Sequence, residues 1–333
     1  MSKIRFGIVG TGAIAQTYAQ VFQSSRLCKL VAAVDTKEEA ARSFAEPFRA
    51  SIFSDYRQLA DRKLVDAVVI ATPPNTHSRI AIDLMNRGIH ILCEKPLCFS
   101  REDALRMIDA ASKNKVTFTM ASKFRYVADI IKAKSIVASG AIGRVLEFEN
   151  YFTCCTDMSN RWNAEARISG GGVLIDNGTH SVDLIRYLCG EIQDVMAIET
   201  ARVNELEVEE SVRLIARVRG GVLALADLSW AIDKQIPDFV RIYGDNGTIC
   251  IGWNRSRYKI KSSADWITFG NGYDKLKAFR AKVENFCKAI YGEEELLIKP
   301  EDALASVEVI EAAYRSLRRN LWEKVQKAQV SIH

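Results

Sequence analysis

The chain has 333 residues, of which 48% are hydrophobic and 26% charged, a balance that favours a folded protein of two domains over a disordered chain. Its formal net charge of +5 is spread along the sequence, so we expect no nucleic-acid partner, although an anionic small molecule would be tolerated. No apolar stretch is long enough to span a bilayer and no signal-like segment precedes the first expected strand, which excludes a membrane partner.

The eight cysteines do not form a framework of disulfides or zinc ligands. They are scattered along the chain, and no C-x-x-C pair is present. We therefore expect reduced thiols in a cytoplasmic protein that holds no metal.

Residues 3 to 121 alternate short apolar runs with helix-like stretches. The runs predict strands that are buried on both faces of a parallel sheet, and the stretches carry apolar residues at helical spacing. This alternation implies βαβ units with right-handed crossovers. The predicted strands are residues 4–9, 30–34, 51–53, 65–71, 89–93 and 116–120, and the predicted helices are residues 14–22, 37–45, 78–87 and 100–114, the last with Ser100 as its cap.

A glycine-rich turn, Gly10-Thr11-Gly12-Ala13-Ile14-Ala15, lies between the first expected strand and the first helix. Gly10 permits the tight turn, Gly12 lets the backbone approach a pyrophosphate, and Ala15 replaces the glycine that keeps helix and sheet close. Ala13 and Ile14 begin the helix, whose N–H groups and positive dipole end suit phosphate. In this context the motif predicts a dinucleotide-binding Rossmann domain over residues 1–122, although a glycine turn in another α/β protein is the alternative.

Asp35 ends the second predicted strand, about 20 residues after the glycine turn, where an acid binds the ribose 2′-hydroxyl of a dinucleotide. Its carboxylate would repel a 2′-phosphate, so NAD is favoured over NADP. Thr36 and Lys37 follow in the same turn, and the ammonium of Lys37 keeps NADP open. The alternative role of Asp35 is to cap the helix at residues 37–45, and both roles can coexist.

Two further loops are expected at the same edge of the sheet, each following a predicted strand. The first is stiffened by two prolines, and the second ends in Glu94-Lys95-Pro96-Leu97, where Pro96 biases Lys95 toward an extended backbone. Ligands bind at this edge in doubly wound folds. We assign Thr72, Pro73, Asn75, His77, Glu94 and Lys95 to the cofactor site, with His77 as a structural or ribose contact and Lys95 also as an acid/base group.

After residue 122 the pattern changes to strands without long helices between them. The predicted strands are residues 145–152, 195–203, 211–217, 222–229, 240–244 and 248–251, with helices at 128–139, about 178–188, 276–290 and from Pro300 onward. The fold class is therefore α/β, with a doubly wound parallel Rossmann sheet and a second, α+β domain over residues 123–333 that contains a large open, mainly antiparallel sheet. Packing of the last helix back onto the first domain is left open.

These motifs together resemble the glucose-fructose oxidoreductase / inositol dehydrogenase / rhizopine-catabolism (Gfo/Idh/MocA) family. The resemblance covers nearly the whole chain. It implies reversible hydride transfer at a sugar or cyclitol carbon and assembly into homodimers or homotetramers through the open sheet. The matching segments are the glycine turn, Thr72-Pro73-Pro74-Asn75-Thr76-His77, Glu94-Lys95-Pro96-Leu97, residues 170–183, and Pro300-Glu301-Asp302-Ala303.

One segment departs from the family. After the strand at 116–120 many members carry an Asn/Arg-rich stretch, where this chain has Ala121-Ser122-Lys123-Phe124-Arg125-Tyr126. Arg125 fits a neighbour of the substrate or nicotinamide, whereas Lys123 is less expected.

Asp176 and His180 are four residues apart and share a face if both lie in or just before a helix. We expect His180 to remove the hydroxyl proton of the substrate, Lys95 to hydrogen-bond the same oxygen, and Asp176 to orient a neighbouring hydroxyl. The glycines at 170–172 would let the backbone approach a ligand. Considered without the other motifs, His180 would be interpreted as a buried histidine of a helix and Asp176 as a helix cap.

The remaining substrate residues are assigned to the same half of the chain. They are Asn177, beside Asp176, and Trp162 and Asn163 in a loop whose Arg161 and Arg167 suit a phosphate, carboxylate or nucleotide diphosphate. A solvated surface loop explains that segment equally well.

The sequence therefore predicts an NAD(P)-dependent oxidoreductase for a sugar or cyclitol, which is either free, phosphorylated or nucleotide-linked. Two alternatives are kept. One is a glycosidase that recycles bound NAD internally, and the other is a cofactor-sensing regulatory protein, against which the joint presence of Lys95, Asp176 and His180 argues.

Overall fold

The structure, a computed structural model, describes residues 2–61 and 64–326. The chain divides into two compact units, one formed by residues up to Tyr126 together with Lys275–Leu304, the other by Val127–Asp274 together with the chain from Ala305. Residues 275–304, expected in the second domain, thus pack in the first unit. Within the described residues, no helix combines the length and apolarity needed to cross a membrane.

The first unit contains a parallel sheet in the strand order β3-β2-β1-β4-β5-β6. This is the order of a Rossmann sheet, and it reverses between β1 and β4, which opens a crevice at the carboxyl ends of the strands. The strands are β1 (Ile4–Val9), β2 (Cys28–Val34), β3 (Ser51–Phe53), β4 (Ala67–Ile70), β5 (His90–Glu94) and β6 (Phe118–Ala121), and the helices between them are α1 (Ala13–Ser24), α2 (Glu38–Ala45), α3 (Arg57–Asp61), α4 (His77–Met85) and α5 (Arg101–Lys113).

The second unit contains a mainly antiparallel sheet, as predicted, in the order β14-β13-β12-β11-β7-β10-β9-β8-β15. β7 and β10 pair in parallel, whereas the other described pairs are antiparallel. Its helices are α6 (Ala128–Ala138), α7 (Ala166–Ser169) and α8 (Val173–Cys189), and its strands are β7 (Val145–Thr153), β8 (Ile192–Glu199), β9 (Ser211–Val218), β10 (Val222–Ser229), β11 (Asp238–Gly244), β12 (Gly247–Gly252), β13 (Ser256–Ile260), β14 (Ile267–Gly270) and β15 (Glu323–Lys324).

Some boundaries differ from the sequence prediction. The strand predicted at 195–203 lies at Ile192–Glu199, because its register is set by pairing with β9. The helix predicted at 178–188 begins at Val173. β13 and β14 were not predicted, because their side chains are largely exposed or half-buried and carry little alternation of hydrophobicity.

Two helices close the chain, α9 (Lys275–Ile290) and α10 (Pro300–Arg319). The apolar stripe of α9 explains why it belongs to the first unit. Phe279, Val283 and Phe286 join the buried cluster that includes Phe6 and Tyr18. The rings of Tyr18 and Phe279 meet edge to face, with centroids 5.1 Å apart, an arrangement that aromatic pairs favour.

Candidate active site

The two glycines of the glycine turn serve different purposes. Gly10 has a φ of +91°, and a Cβ there would lie 2.7 Å from the backbone of Ala71, so the fold itself requires glycine. Gly12 has an ordinary φ of −69°, and a Cβ there would meet nothing within 4 Å. Gly12 is also exposed at the start of α1. This open space at a helix N-terminus fits the pyrophosphate of a dinucleotide.

Replacing each glycine by alanine should separate folding from cofactor binding. We expect Gly10→Ala to lower the free energy of unfolding by about 2–4 kcal/mol, because it combines a left-handed backbone with a backbone clash. Gly12→Ala should keep wild-type stability and weaken NADH binding about tenfold or more, because its methyl group fills the open space. Urea unfolding and NADH fluorescence titration check both. An equal loss of stability in the two variants would contradict this division of roles.

Asp35 follows β2 and is held by three hydrogen bonds. Its Oδ2 accepts the backbone N–H and the hydroxyl of Thr11, each at 2.9 Å, and its Oδ1 accepts the N–H of Lys37 at 3.0 Å. Partial burial raises the pKa of Asp35, but the bonds from Lys37 and Thr11 outweigh it and hold the pKa below its usual value. The N-cap of α2 is Lys37 rather than Asp35. Thr36 and Lys37 are exposed beside this fixed anion, where a ribose is expected.

Removing the charge of Asp35 should weaken the preference of the protein for NADH over NADPH. Asp35→Asn keeps an oxygen acceptor but cannot repel a 2′-phosphate, so we expect the ratio of the NADPH and NADH dissociation constants to fall about tenfold or more. Fluorescence titration with each cofactor measures this ratio. Asp55→Asn, at an exposed carboxylate paired with Arg57, is the matched control. An unchanged ratio in Asp35→Asn would remove Asp35 from the ribose site.

His77 links the two loops that follow β4 and β5. Its ring is buried, with Nδ1 2.9 Å from the carbonyl oxygen of Pro96 and Nε2 2.9 Å from that of Thr72. Burial lowers the pKa of His77, although these carbonyls oppose the effect. Because both ring nitrogens face backbone carbonyls, this geometry favours the structural role of His77, and its ribose contact stays a prediction. Asn75 is exposed in this loop, and Pro73 is half-buried.

The Lys95 turn begins where β5 ends. The Lys95–Pro96 peptide bond is cis, and Lys95 is partly exposed. The side chain of Glu94 is largely buried, and its Oε1 accepts the hydroxyl of Tyr18 at 2.6 Å and Nζ of Lys282 at 3.1 Å. Its Oε2 accepts the N–H of Lys95 at 3.3 Å. Glu94 therefore supports the turn from inside the protein, and the cofactor contact predicted for it stays a prediction.

The charge of Glu94 is maintained by its partners. Burial raises the pKa of Glu94, but the ammonium of Lys282 and the hydroxyl of Tyr18 outweigh burial and hold that pKa below its usual value. Neither partner was predicted from the sequence. A signal for Lys282 was present, because it lies on the apolar face of α9 between Phe279 and Phe286, where a charge needs a buried partner.

Arg125 has partners within the protein. Its side chain is 3% exposed and is paired with Asp302 at 2.8 Å. It also donates to the carbonyl oxygen of Leu297 at 3.1 Å. A buried guanidinium engaged by α10 and the segment before it has a structural role, and the substrate contact of Arg125 stays a prediction.

Lys123, the residue that departs from the family pattern, lies in the same 3-10 turn, Lys123–Tyr126. Its Nζ is 5.1 Å from the centre of the Phe124 ring. Burial lowers the pKa of Lys123 to about 8, and the charge of Lys95 adds to this effect more than those of Lys275 and Lys282. Lys123 therefore loses its charge at a lower pH than an ordinary lysine.

Lys123→Met should stabilise the fold at neutral pH by roughly 1–3 kcal/mol. A lysine whose pKa is lowered by folding costs stability below its folded pKa, and this cost disappears as pH rises from about 8 toward the unfolded value of 10.5. The gain in Tm should therefore be present at pH 7 and much smaller near pH 10. Thermal unfolding of wild type and variant at both pH values checks this, and a gain that does not depend on pH would contradict it.

In the second unit, Asp176 and His180 both lie within α8, so they share a face one helical turn apart. His180 is 4% exposed, and its ring meets that of Phe152 edge to face, with centroids 6.4 Å apart. Asp176 lies in the first turn, where a carboxylate complements the helix dipole. Asn177 is partly exposed and donates from Nδ2 to the carbonyl oxygen of Phe152 at 3.5 Å.

The start of α8 is capped from a distant part of the chain. Glu209 Oε1 accepts the N–H groups of Gly172 and Leu174, at 2.9 and 3.1 Å, and the hydroxyl of Tyr314 at 2.8 Å. A Cβ on Gly172 would lie 1.9 Å from the backbone oxygen of Glu209, and one on Gly171 would lie 1.8 Å from Tyr314 Oη. Packing against Glu209 and Tyr314 therefore requires glycine at these two positions. The sequence had suggested another reason, the close approach of the backbone to a ligand.

The loop before these glycines is largely exposed. Trp162 begins a 3-10 turn, Trp162–Ala164, and is 39% exposed, while Asn163 is half-buried. Arg161 and Arg167 face solvent. This geometry is compatible with both the substrate loop and the solvated loop, so the roles of Trp162 and Asn163 stay predictions.

Two family models match this chain in succession. Residues 4–122 match the oxidoreductase family with an NAD-binding Rossmann fold, GFO/IDH/MocA, and residues 130–250 match the GFO/IDH/MocA C-terminal domain. Together the two matches cover more than half of the chain. The fit of the first model agrees with the glycine turn, Asp35 and the strand order of the first unit.

Individual proteins agree with this assignment. The chain is 26% identical to the rhizopine catabolism protein MocA of Rhizobium meliloti over 96% of this chain and 97% of that protein. It is 27% identical to the myo-inositol 2-dehydrogenase of Thermotoga maritima over 74% of each. The fold is shared with levoglucosan dehydrogenase in complex with NADH and levoglucosan, with a TM-score of 0.91 at 22% identity over 98% of this chain and 100% of that one. The chain therefore belongs to the GFO/IDH/MocA oxidoreductase family, and its N-terminal part is an NAD-binding Rossmann domain.

Proposed function

We propose that this protein is an NAD-dependent dehydrogenase that oxidises a carbinol, or reduces the matching ketone, of a sugar or cyclitol. The observation that carries the proposal is Lys95. It follows β5 at the same edge of the sheet as Gly10 and Asp35, so an ammonium and the cofactor-binding groups belong to one edge of one domain. A group that exchanges a proton near the nicotinamide is expected at this edge of the sheet.

The nicotinamide of NAD supplies the hydride acceptor in this chemistry. Gly12 and the first turn of α1 bind the pyrophosphate, and Asp35 binds the ribose. His180 removes the hydroxyl proton of the carbinol, and Lys95 hydrogen-bonds the same oxygen and stabilises its developing negative charge. In the direction of reduction the two residues return the proton.

The remaining proposed contacts concern substrate recognition. Asp176 and Asn177 orient neighbouring hydroxyls, which polyols carry in abundance, and Trp162 and Asn163 contact the rest of the substrate. Relatives named for myo-inositol and levoglucosan support a polyhydroxylated ring as the substrate class. The exposed Arg161 and Arg167 keep a phosphorylated or nucleotide-linked sugar within this proposal. We further propose a homodimer or homotetramer, as the family resemblance implies.

A substrate panel tests this function directly. Purified protein with NAD or NADP is mixed with inositols, free aldoses, sugar phosphates and nucleotide sugars, and the absorbance of reduced cofactor is followed. Turnover that favours NAD is the expected result. Binding of NADH without turnover of any member would favour the sensing alternative, and hydrolysis of an aryl glycoside without net NADH production would favour the glycosidase. Failure to bind either cofactor would overturn the proposal.

A further inference from the structure

Lys282 is a lysine in an apolar environment. Its side chain is 0% exposed, and its Nζ lies 3.8 Å from the ring centre of Phe279 and 4.7 Å from that of Tyr18. A buried ammonium is costly unless it is paired, and aromatic faces compensate only part of that cost. Burial lowers the pKa of Lys282, and its pairing with Glu94 at 3.1 Å opposes that effect and favours the charged form.

Glu94 connects this buried charge to Lys95. One carboxylate oxygen receives Lys282 and Tyr18, and the other receives the backbone N–H of Lys95. The positive charges of Lys282 and Lys95 both lower the pKa of Glu94, and Lys282 does so more strongly. The carboxylate thus has a lysine from α9 on one oxygen and the Lys95 turn on the other.

Fold stability alone is a weak reason to keep such a pair. Replacing a buried ion pair by apolar residues of similar volume is often neutral or stabilising. The surroundings of Lys282 are the rings of Phe279 and Tyr18, which would accept a methionine in its place. A function for the charge of Glu94 explains the pair better, and the functional group that Glu94 contacts is Lys95.

We propose that Lys282 is a positioning residue for Lys95: by holding Glu94 charged and immobile, it fixes the backbone of the Lys95 turn and keeps a negative charge on the residue that precedes Lys95. This inference rests on the acid/base role proposed for Lys95. It assigns to α9, which follows the second sheet in the sequence, a part in the proton transfer of the Rossmann domain.

The test uses the full chain with NADH bound and four variants: Lys282→Met, Glu94→Gln, the double variant, and Lys288→Met. Lys288 is the matched control, because it lies on the same helix but is exposed and pairs with Glu294. Two readouts need no substrate. They are the hydrogen exchange rate of the Lys95 amide and the NMR signal of 13Cε-labelled Lys95, assigned by its loss in Lys95→Ala. Urea unfolding is the third readout.

We expect Lys282→Met to speed exchange of the Lys95 amide about tenfold or more and to move the Lys95 signal, whereas Lys288→Met changes neither. In the double variant stability should recover relative to Lys282→Met, because no buried charge is left unpaired, but the Lys95 signal should stay displaced. A Lys95 signal and exchange rate that match wild type in Lys282→Met would overturn the inference. So would a double variant that matches wild type in every readout, and this variant decides the matter if Lys282→Met does not fold.

Turnover separates this inference from the proposed function. With a substrate from the panel, Lys282→Met should lower kcat about tenfold at unchanged NADH affinity. Full activity of Lys95→Ala would refute the proposed role of Lys95 and leave the coupling between Lys282 and Lys95 measurable by NMR. Loss of activity in Lys95→Ala with an undisturbed Lys95 in Lys282→Met would refute only the positioning role.

Discussion

Lys95→Ala is expected to lower turnover about a thousandfold while NADH affinity stays within about twofold of wild type. The ammonium acts on charge that develops at the substrate oxygen during hydride transfer, so its removal should raise the barrier far more than it weakens ground-state binding. Steady-state kinetics on the substrate found in the panel, with NADH titration in parallel, measure the two effects.

Lys95→Arg and Lys113→Ala complete this experiment. Arginine keeps the positive charge but exchanges a proton poorly, so we expect it to recover only a small part of the activity. Lys113 lies in the last turn of α5, away from the end of β5, and its replacement should have no effect. Wild-type turnover in Lys95→Ala would remove Lys95 from the chemistry.

Gly172→Ala is expected to lower the free energy of unfolding by about 3 kcal/mol or more. The new methyl group would lie 1.9 Å from the backbone oxygen of Glu209, and neither backbone can move without breaking the cap of α8. The loss should therefore exceed that of an ordinary surface substitution several times over. Urea unfolding of wild type and variant measures it.

Gly178→Ala is the matched control for Gly172→Ala. Gly178 lies inside the same helix, and a Cβ there would meet flexible side-chain atoms of Leu174 and Leu228 at 3.2 Å. Because alanine favours the helix by about 1 kcal/mol, the net change should be small. If the two variants lose the same stability, the close packing of Glu209 against Gly172 does not constrain α8.

The cofactor half of the protein could be predicted well from the sequence, because its signals are local. The glycine turn, the strand at Ile4–Val9 and the acid at Asp35 each depend on a few neighbouring residues, and the strand order and the family models confirm the Rossmann domain that they predicted. The helical spacing of Asp176 and His180 is also a local property, and α8 confirms it. β13 and β14, the last two strands at one end of the second sheet, were missed because half-buried or exposed strands carry little such signal.

The sequence by itself determined the class of cofactor and the division into a parallel and a mainly antiparallel sheet, whereas the acid/base residues that it suggests stay a prediction. Only the tertiary structure decided which charges are buried and with what partners. Lys282 reaches Glu94 across 188 positions of sequence, and Glu209 caps a helix that begins 36 residues before it. Such pairs form because a buried charge and the free N–H groups at a helix start need hydrogen-bonding partners, which can come from any part of the chain that lies nearby in the fold. The spacing of residues along the sequence therefore does not predict them. The same reason explains why Arg125 and His77, which were predicted as ligand contacts, have partners inside the protein.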